Sequence, residues 1–115
     1  MRSSFKQPEE PVDAPGFNQR GDRYSRNGVY DRAIEDYSRA IELDEAFAEA
    51  YFNRGVSYYE LGRYQDAIDD LSQAIRLNPA DANYYSRRSL AYLFADQPEL
   101  AQADQDRCDE LRNSS

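Results

Sequence analysis

The sequence predicts an all-α protein built from three helical hairpins that stack on one another. Residues 14–47 and 48–81 are identical at 14 positions when they are offset by 34 residues, and a period of this length is typical of stacked helical hairpins. Residues 82–115 keep seven identities with 48–81 in the same register. Helix breakers and small residues also recur at fixed places. We therefore expect one domain of three repeats.

A helix breaker lies near the middle of each unit. Gly28 and Gly62 occupy the same place in the first two units, and glycine ends a helix because it adopts the left-handed conformation at little cost. In the third unit, residues 96–98 replace the glycine, and Pro98 suits the first turn of a new helix. These signals predict six helices, over residues 16–27, 30–44, 50–61, 64–78, 84–95 and 98–112.

Small residues recur where the two helices of a hairpin should approach each other. A large side chain at such a position would force the paired helices apart. Most of the ten tyrosines also recur at the repeat spacing, so we interpret them as core residues and not as a recognition surface. The small residues are Gly21, Gly55 and Ser89 in the first helices and Ala33, Ala67 and Ala101 in the second.

Each unit also carries an arginine in its first helix and an aspartate sixteen residues later. Antiparallel packing folds the second helix back on the first, which brings the two side chains within reach while the arginine stem covers apolar surface. We therefore predict three structural ion pairs: Arg20–Asp36, Arg54–Asp70 and Arg88–Asp104.

The second unit resembles the tetratricopeptide repeat, whose pattern it fills with Tyr51, Gly55, Tyr58, Ala67, Leu71 and Pro79. The first unit follows with Phe17, Gly21, Tyr24, Ala33 and Tyr37, and has Glu45 in place of the proline. The third follows with Tyr85, Ser89, Tyr92 and Ala101, and has Gln105 and Asn113 in place of the last two columns. The resemblance covers residues 14–115 and implies a right-handed superhelix of hairpins.

The last hairpin carries polar residues at columns that normally meet a following hairpin. Gln102, Gln105 and Asp109 replace the apolar residues of the earlier units. Terminal repeats need a polar outer face for solubility, so we interpret this face as the end of the stack. The N-terminal face shows no comparable set of polar replacements, although Asn18, Gln19 and Asp22 keep part of it hydrophilic.

Composition bounds the possible partners. The chain of 115 residues has 22 acidic and 14 basic residues, a formal net charge of -8, so we expect no binding to nucleic acid or to anionic membranes. No apolar run reaches the ~18 residues that span a bilayer. We expect a soluble protein, cytoplasmic or, if an export signal has been removed, periplasmic. Residues 1–13 are too polar to fold alone and predict a disordered tail.

The sequence lacks the residue sets of common catalytic and metal sites. It has no histidine and a single cysteine, and it contains no phosphate-binding loop or nucleophile motif. Its acidic clusters lack the glycine turn and ligand spacing of a calcium loop. We therefore predict a protein that is not an enzyme, with no catalytic residue, cofactor or metal. Cys108 falls in a column of alanines, which predicts a small buried side chain.

The resemblance implies a binding groove. In tetratricopeptide proteins the first helix of each hairpin lines the inner surface, where an extended peptide or a helix of a partner protein lies. Carried over by column, the residues expected to line this groove are Asn18, Asp22, Phe52, Asn53, Val56, Tyr59, Asn83, Arg87, Leu90 and Phe94.

One subfamily of these repeats clamps the C-terminal carboxylate of heat-shock chaperones with lysine, asparagine and arginine side chains. Only Asn53 and Arg87 match that pattern here, and both of its lysines are missing. Asp22 adds a negative charge where the ligand carboxylate would lie, and like charges there oppose binding. We therefore expect this chain not to bind chaperone C termini.

Two functions of different classes remain. The first is a peptide-binding adaptor, in which Asn53 and Arg87 supply polar contacts and the aromatic and aliphatic groove residues supply apolar ones. The second is a structural module that forms homo-oligomers through the apolar groove or through the exposed first hairpin. A monomer at high concentration favours the adaptor, and a defined oligomer favours assembly.

Overall fold

The structure, a computed structural model, describes residues 10–114, and its secondary structure in this range is entirely α-helical. Consecutive helices pair as three hairpins, and the hairpins stack through α2 on α3 and α4 on α5. The predicted all-α fold of three stacked hairpins is confirmed. Residues 1–9 of the predicted tail, and Ser115, lie outside the described residues. The helices are α1 (Ala14–Arg26), α2 (Tyr30–Leu43), α3 (Ala48–Glu60), α4 (Tyr64–Leu77), α5 (Ala82–Phe94) and α6 (Pro98–Asn113).

The first helix of each hairpin begins two residues earlier than predicted. For α1 the reason is Asp13, whose Oδ1 accepts from the backbone N–H of Gly16 at 2.8 Å. For α5 it is Asp81, whose carboxylate accepts from the N–H of Asn83 at 2.9 Å. A side chain that satisfies a free N–H stabilises the first turn of a helix. An aspartate just before the repeat boundary was the signal for these earlier starts.

The turns inside the three hairpins all have the same capping motif. Gly28 and Gly62 have φ angles of 74° and 77°, and Asp96 takes φ 62° in the same column. In each turn the residue after this one donates its N–H to the carbonyl five residues back, as from Arg63 to Tyr58 at 2.9 Å. This is the Schellman arrangement, which satisfies carbonyls at a helix end. In the third turn, Asp96 rather than Pro98 therefore performs the role of glycine.

The first helices form the inner side of the stack. Helices α1, α3 and α5 approach one another along the series, whereas α2, α4 and α6 make no backbone approach to one another within residues 10–114. A stack whose first helices touch and whose second helices diverge must curve toward the first helices. The geometry therefore places α1, α3 and α5 on the concave side.

The core between paired helices consists largely of small residues. Ala40, Ala74 and Cys108 share a column and are fully buried, as predicted for the cysteine. In the second hairpin, a methyl group on Gly55 would lie 3.0 Å from Leu71, as close packing of the two helices requires. In the first hairpin, Gly21 has a different role. A methyl group there would lie 2.7 Å from the ring of Tyr37, so Gly21 makes room for a larger side chain.

All three predicted ion pairs form, each with two hydrogen bonds. The Nε and Nη2 atoms of Arg54 donate to the two carboxylate oxygens of Asp70 at 2.7 and 2.8 Å. The pairs of Arg20 with Asp36 and of Arg88 with Asp104 repeat this geometry at 2.7 to 2.9 Å. Two-point pairing of a guanidinium with a carboxylate fixes direction as well as distance. Each pair therefore joins the two helices of its own hairpin.

In Arg54 and Arg88, the remaining guanidinium nitrogen joins one hairpin to the next. Nη1 of Arg54 donates to Oγ of Ser38 on α2, and Nη1 of Arg88 donates to Oγ of Ser72 on α4, both at 3.0 Å. Arg54 also lies over the rings of Tyr51 and Tyr58, at 5.8 and 5.9 Å from their centroids. Arginine favours such positions because it stacks on aromatic faces while its nitrogens donate in the plane.

Burial raises the pKa of Asp70, and the hydrogen bond and the charge of Arg54 oppose that rise. The same hydrogen bond raises the pKa of Arg54 above its usual value, against the effect of burial. The free-energy cost of removing the two charges from water therefore offsets part of the free energy gained from their attraction. The pair contributes mainly by fixing geometry, and loss of one partner leaves the other charge without compensation.

The N-terminal face is polar, contrary to the sequence-based expectation. The column that contains Ser57 and Ala91 is fully buried against the preceding hairpin, and in the first hairpin this column holds the exposed Arg23. This replacement is recognisable only when packing shows which column lies between hairpins. Both ends of the stack therefore carry polar replacements.

We expect Asp96→Gly to increase the free energy of unfolding by ~0.5–1 kcal/mol, because glycine adopts positive φ without the steric penalty of a side chain. The reverse change in the second hairpin, Gly62→Asp, should lower it by a similar amount. Urea unfolding measures both values. A decrease for Asp96→Gly would show that the aspartate side chain stabilises this turn.

A double-mutant cycle on Arg54→Met and Asp70→Asn should give a coupling energy of ~1–3 kcal/mol, since the two side chains are half-buried or buried and bond at two points. The matched control is Arg63 with Asp66, an exposed pair on the first turn of α4 at 2.8 Å. The double-mutant cycle on this exposed pair should give a coupling energy below ~0.5 kcal/mol. Equal coupling in both cycles would contradict a structural role for Arg54.

Candidate functional site

The ten predicted groove residues lie on α1, α3 and α5, the helices of the inner side. Four of them meet in a crevice between α3 and α5, with the buried side chain of Leu71 as its floor. The crevice contains about 180 Å³ of space between atoms and is too narrow for a water molecule. The four groove residues that line it are Val56, Tyr59, Arg87 and Leu90. The crevice is therefore closed to solvent and lined mainly by apolar side chains.

An aromatic cluster borders this crevice. The ring of Phe94 is stacked on that of Tyr64 with centroids 5.3 Å apart, and it meets the edge of Tyr59 at 5.7 Å. Tyr59 and Tyr64 also lie edge to face at 5.7 Å. The sequence did not point to Tyr64, because it lies at the start of α4, a second helix. Its position directly after the turn places it beside α5.

One face of α5 is apolar and exposed. Leu90, Leu93 and Phe94 are 37%, 53% and 58% exposed, and their spacing of three and four residues places them side by side on the helix. Arg87 lies one turn before them and is also exposed. This face therefore combines a positive charge with a stripe of large apolar side chains.

Phe52 belongs partly to the core. Its ring packs at 5.0 Å from that of Tyr84 on α5, and Tyr84 is buried. Burial also raises the pKa of Tyr84, so this phenol stays neutral. Phe52 therefore helps to set the separation of α3 from α5 and presents only part of its ring to a ligand.

A chain of polar side chains crosses the groove from the first hairpin to the second. Asn53 donates from Nδ2 to Oδ1 of Asn18 at 3.0 Å, and Asn18 donates from Nδ2 to Glu49 at 2.9 Å. Asn18 is only 3% exposed. The expectation that Asn18 lines the surface of the groove therefore needs correction: it supports Asn53 from beneath. Asn53 keeps its Oδ1 as the end that can accept from a ligand.

Asp22 also has a partner inside the molecule. The hydroxyl of Tyr37 donates to Oδ1 of Asp22 at 2.7 Å, which links α1 to α2. Burial raises the pKa of Tyr37, and the charge of Asp22 raises it further. The buried phenol is therefore a stable donor that holds the carboxylate in place.

Asn83 and Arg87 begin the third inner helix. Asn83 is exposed, and its Oδ1 accepts from Nη2 of Arg112 on α6 at 3.3 Å. Arg87 is the one cation among the ten predicted groove residues. The groove thus changes in character along its length, from amide and carboxylate groups at the first hairpin to a cation and apolar side chains at the third.

The rest of the described chain contains neither a candidate metal site nor a candidate membrane span. Within residues 10–114, no group of three or more histidine, cysteine, aspartate or glutamate side chains is placed to hold a metal ion. Every helix in the same range is too short or too polar to span a bilayer.

Solved structures of similar fold include protein-binding domains. The second TPR of Spaghetti (RPAP3), bound to the HSP90 peptide SRMEEVD, is 32% identical with a TM-score of 0.84, and the match covers 86% of this chain and 92% of that one. The second TPR domain of human RPAP3, in complex with the HSP70 peptide SGPTIEEVD, is 31% identical with a TM-score of 0.85, covering 89% and 85%. MamA, at 24% identity and a TM-score of 0.86 over 89% of this chain and 60% of that one, shows the fold alone.

Two protein-family models also match this chain. A model described as a TPR repeat matches residues 21–62, and one described as a tetratricopeptide repeat matches residues 48–81. No curated protein matches the chain. The six helices, the 34-residue register and these matches together show that the chain belongs to the tetratricopeptide repeat family.

Proposed function

We propose that the chain is a non-enzymatic interaction module that binds an extended or helical segment of a partner protein in the groove of α1, α3 and α5. The exposed stripe of Leu90, Leu93 and Phe94 is the observation that carries this proposal. These side chains account for three of the eight exposed large hydrophobic residues in the described chain. Apolar residues grouped on one exposed face are a sign of an interaction surface.

The crevice beside this stripe supports a particular kind of ligand. Its apolar walls and its volume suit a small aliphatic group or the edge of a ring, whose entry would move Tyr59 and Leu90 apart. Arg87 at the same crevice can donate to a carbonyl or a carboxylate of the ligand. Toward the first hairpin, Oδ1 of Asn53 can accept from a peptide N–H. The proposed ligand therefore has an apolar side chain next to an acceptor.

The RPAP3 domains are bound to peptides that end in EEVD, whereas the first hairpin of this chain departs from the carboxylate-clamp pattern of the chaperone-binding repeats. Asn18 is buried beneath Asn53, and Asp22 adds a carboxylate where a ligand carboxylate would be repelled. We therefore propose that the ligand is recognised by an internal segment and that its C-terminal carboxylate contributes little.

The groove can be tested with peptides selected from a random displayed library on the immobilised chain. Leu90→Ala and Arg87→Ala should each weaken binding of a selected peptide by ~1–3 kcal/mol, because each removes a contact that the ligand desolvates. Asp69→Ala is the matched control on the exposed face of α4 and should leave the affinity unchanged. Fluorescence anisotropy of the labelled peptide measures all three.

Two results would contradict this proposal. One is loss of peptide binding on Asp69→Ala with wild-type affinity in both groove variants. The other is a large loss of affinity when the C terminus of the selected peptide is amidated, which would show that a carboxylate is recognised. If the groove instead binds a second copy of the chain, Leu90→Ala will lower the mass measured by light scattering.

A further inference from the structure

The contacts between hairpins define a register that reaches the end of the stack. Arg54 donates to Ser38 and Arg88 donates to Ser72, and each acceptor lies sixteen residues before its arginine. The third member of the acceptor column is Asp106 on α6, which is exposed. A hairpin stacked on α6 in the same register would bring its arginine to Asp106, with a carboxylate in place of the serine hydroxyl.

The first hairpin has the opposite half of this contact. Arg20 forms its two-point pair with Asp36, and its Nη1 donates at 3.0 Å to Glu10, whose side chain is 77% exposed. An exposed glutamate just before α1 thus occupies the place that a serine of a preceding hairpin holds for Arg54 and Arg88. Such an exposed ion pair is weak and is readily exchanged for another acceptor.

The two ends of the stack also carry opposite charge. Helix α1 contains three arginines and one aspartate, whereas α6 contains five acidic residues and two arginines. Arg20 and Asp104 are each paired inside their own hairpin, which leaves two arginines against one aspartate on α1 and four acidic residues against two arginines on α6. This asymmetry stands out in a chain with a net charge of -8. Facing surfaces of opposite charge attract each other and select one relative orientation.

The shapes of the two ends leave room for contact. At the first hairpin, Arg20, Arg23, Tyr24 and Asn27 line an open depression of about 420 Å³. At the third, Gln102 and Gln105 line another of about 250 Å³ between α5 and α6. Arg23 projects from the column that is buried between hairpins elsewhere in the stack. The polar residues at these ends are therefore placed where a neighbouring copy would meet them.

We propose that copies of this chain associate head to tail, with α6 of one copy against α1 of the next. Asp106 of the first copy accepts from Arg20 of the second, which continues the register of Ser38 and Ser72, and Arg23 of the second copy meets the acidic face of α6. The contact is centred on α6 and α1, and Leu93 of the apolar stripe also lines the depression between α5 and α6. Because its two surfaces differ, it leaves one of each free and forms an open series and not a closed dimer.

The first test is sedimentation of the wild-type chain from ~10 μM to ~1 mM, a range that detects weak association. In ~0.01 M salt, where the screening length is ~30 Å, the average mass should rise with concentration. In ~1 M salt, where it is ~3 Å, the chain should be monomeric. A monomer at every concentration in low salt would overturn the proposal.

Charge reversal provides a second test with a distinctive outcome. Arg23→Glu and Asp106→Arg each reverse one exposed face, and each variant alone should be monomeric in low salt. Mixed in equal amounts, they should associate, because the intact acidic face of Arg23→Glu can bind the intact basic face of Asp106→Arg. A wild-type mass that rises beyond that of a dimer distinguishes this head-to-tail contact from a two-fold symmetric one.

Melting temperatures check that both variants fold, and Asp109→Arg can replace Asp106→Arg if the latter is destabilised. Oligomers that persist in both single variants would overturn the proposal, since the contact would then lie on another surface. A mixture that stays monomeric where the wild type associates would overturn it as well.

Discussion

The structure depends on one repeated interaction, the arginine near the middle of each inner helix. Two nitrogens of Arg54 bond Asp70 within the hairpin, and the third bonds Ser38 of the hairpin before it. A single side chain therefore fixes both the pairing of helices and the stacking of hairpins. Most of the other core residues are small, so few large side chains compete for this role. The two-point pair sets the direction as well as the distance between the helices, and the cost of removing its charges from water offsets part of its contribution to stability.

The groove follows from this geometry. Because the arginines hold each first helix against the second helix of the hairpin before it, α3 and α5 lie side by side without closing the crevice between them. Phe52 against Tyr84 sets their separation from within. The apolar stripe of α5 is then left exposed at the edge of the crevice. The repeated residues thus form the frame, and the residues that differ between repeats form the proposed binding surface.

Features that recur three times could be predicted from the sequence, and features that occur once could not. The hairpins and the ion pairs were predictable because each column was visible in every repeat. The burial of Asn18 was not, since it depends on Glu49 and Asn53 of another hairpin. The place of Arg23 on the N-terminal face was not predictable either, because only packing reveals that its column lies between hairpins. Tyr64 joins the aromatic cluster from the second helix of its hairpin. The resemblance predicted groove residues on the first helices only, so it did not include Tyr64.

We expect Arg20, Arg54 and Arg88 to be held rigidly and the arginines of the exposed ion pairs to be mobile. Nuclear magnetic resonance of the guanidinium groups tests it directly, through rotation about the Nε–Cζ bond and exchange of the Hε proton with water. Arg20, Arg54 and Arg88 should show slow rotation and slow exchange, with a contact between the Arg54 guanidinium and Ser38. The exposed pairs of Arg39, Arg63 and Arg107 should rotate and exchange fast. Equal behaviour of all six would contradict the account.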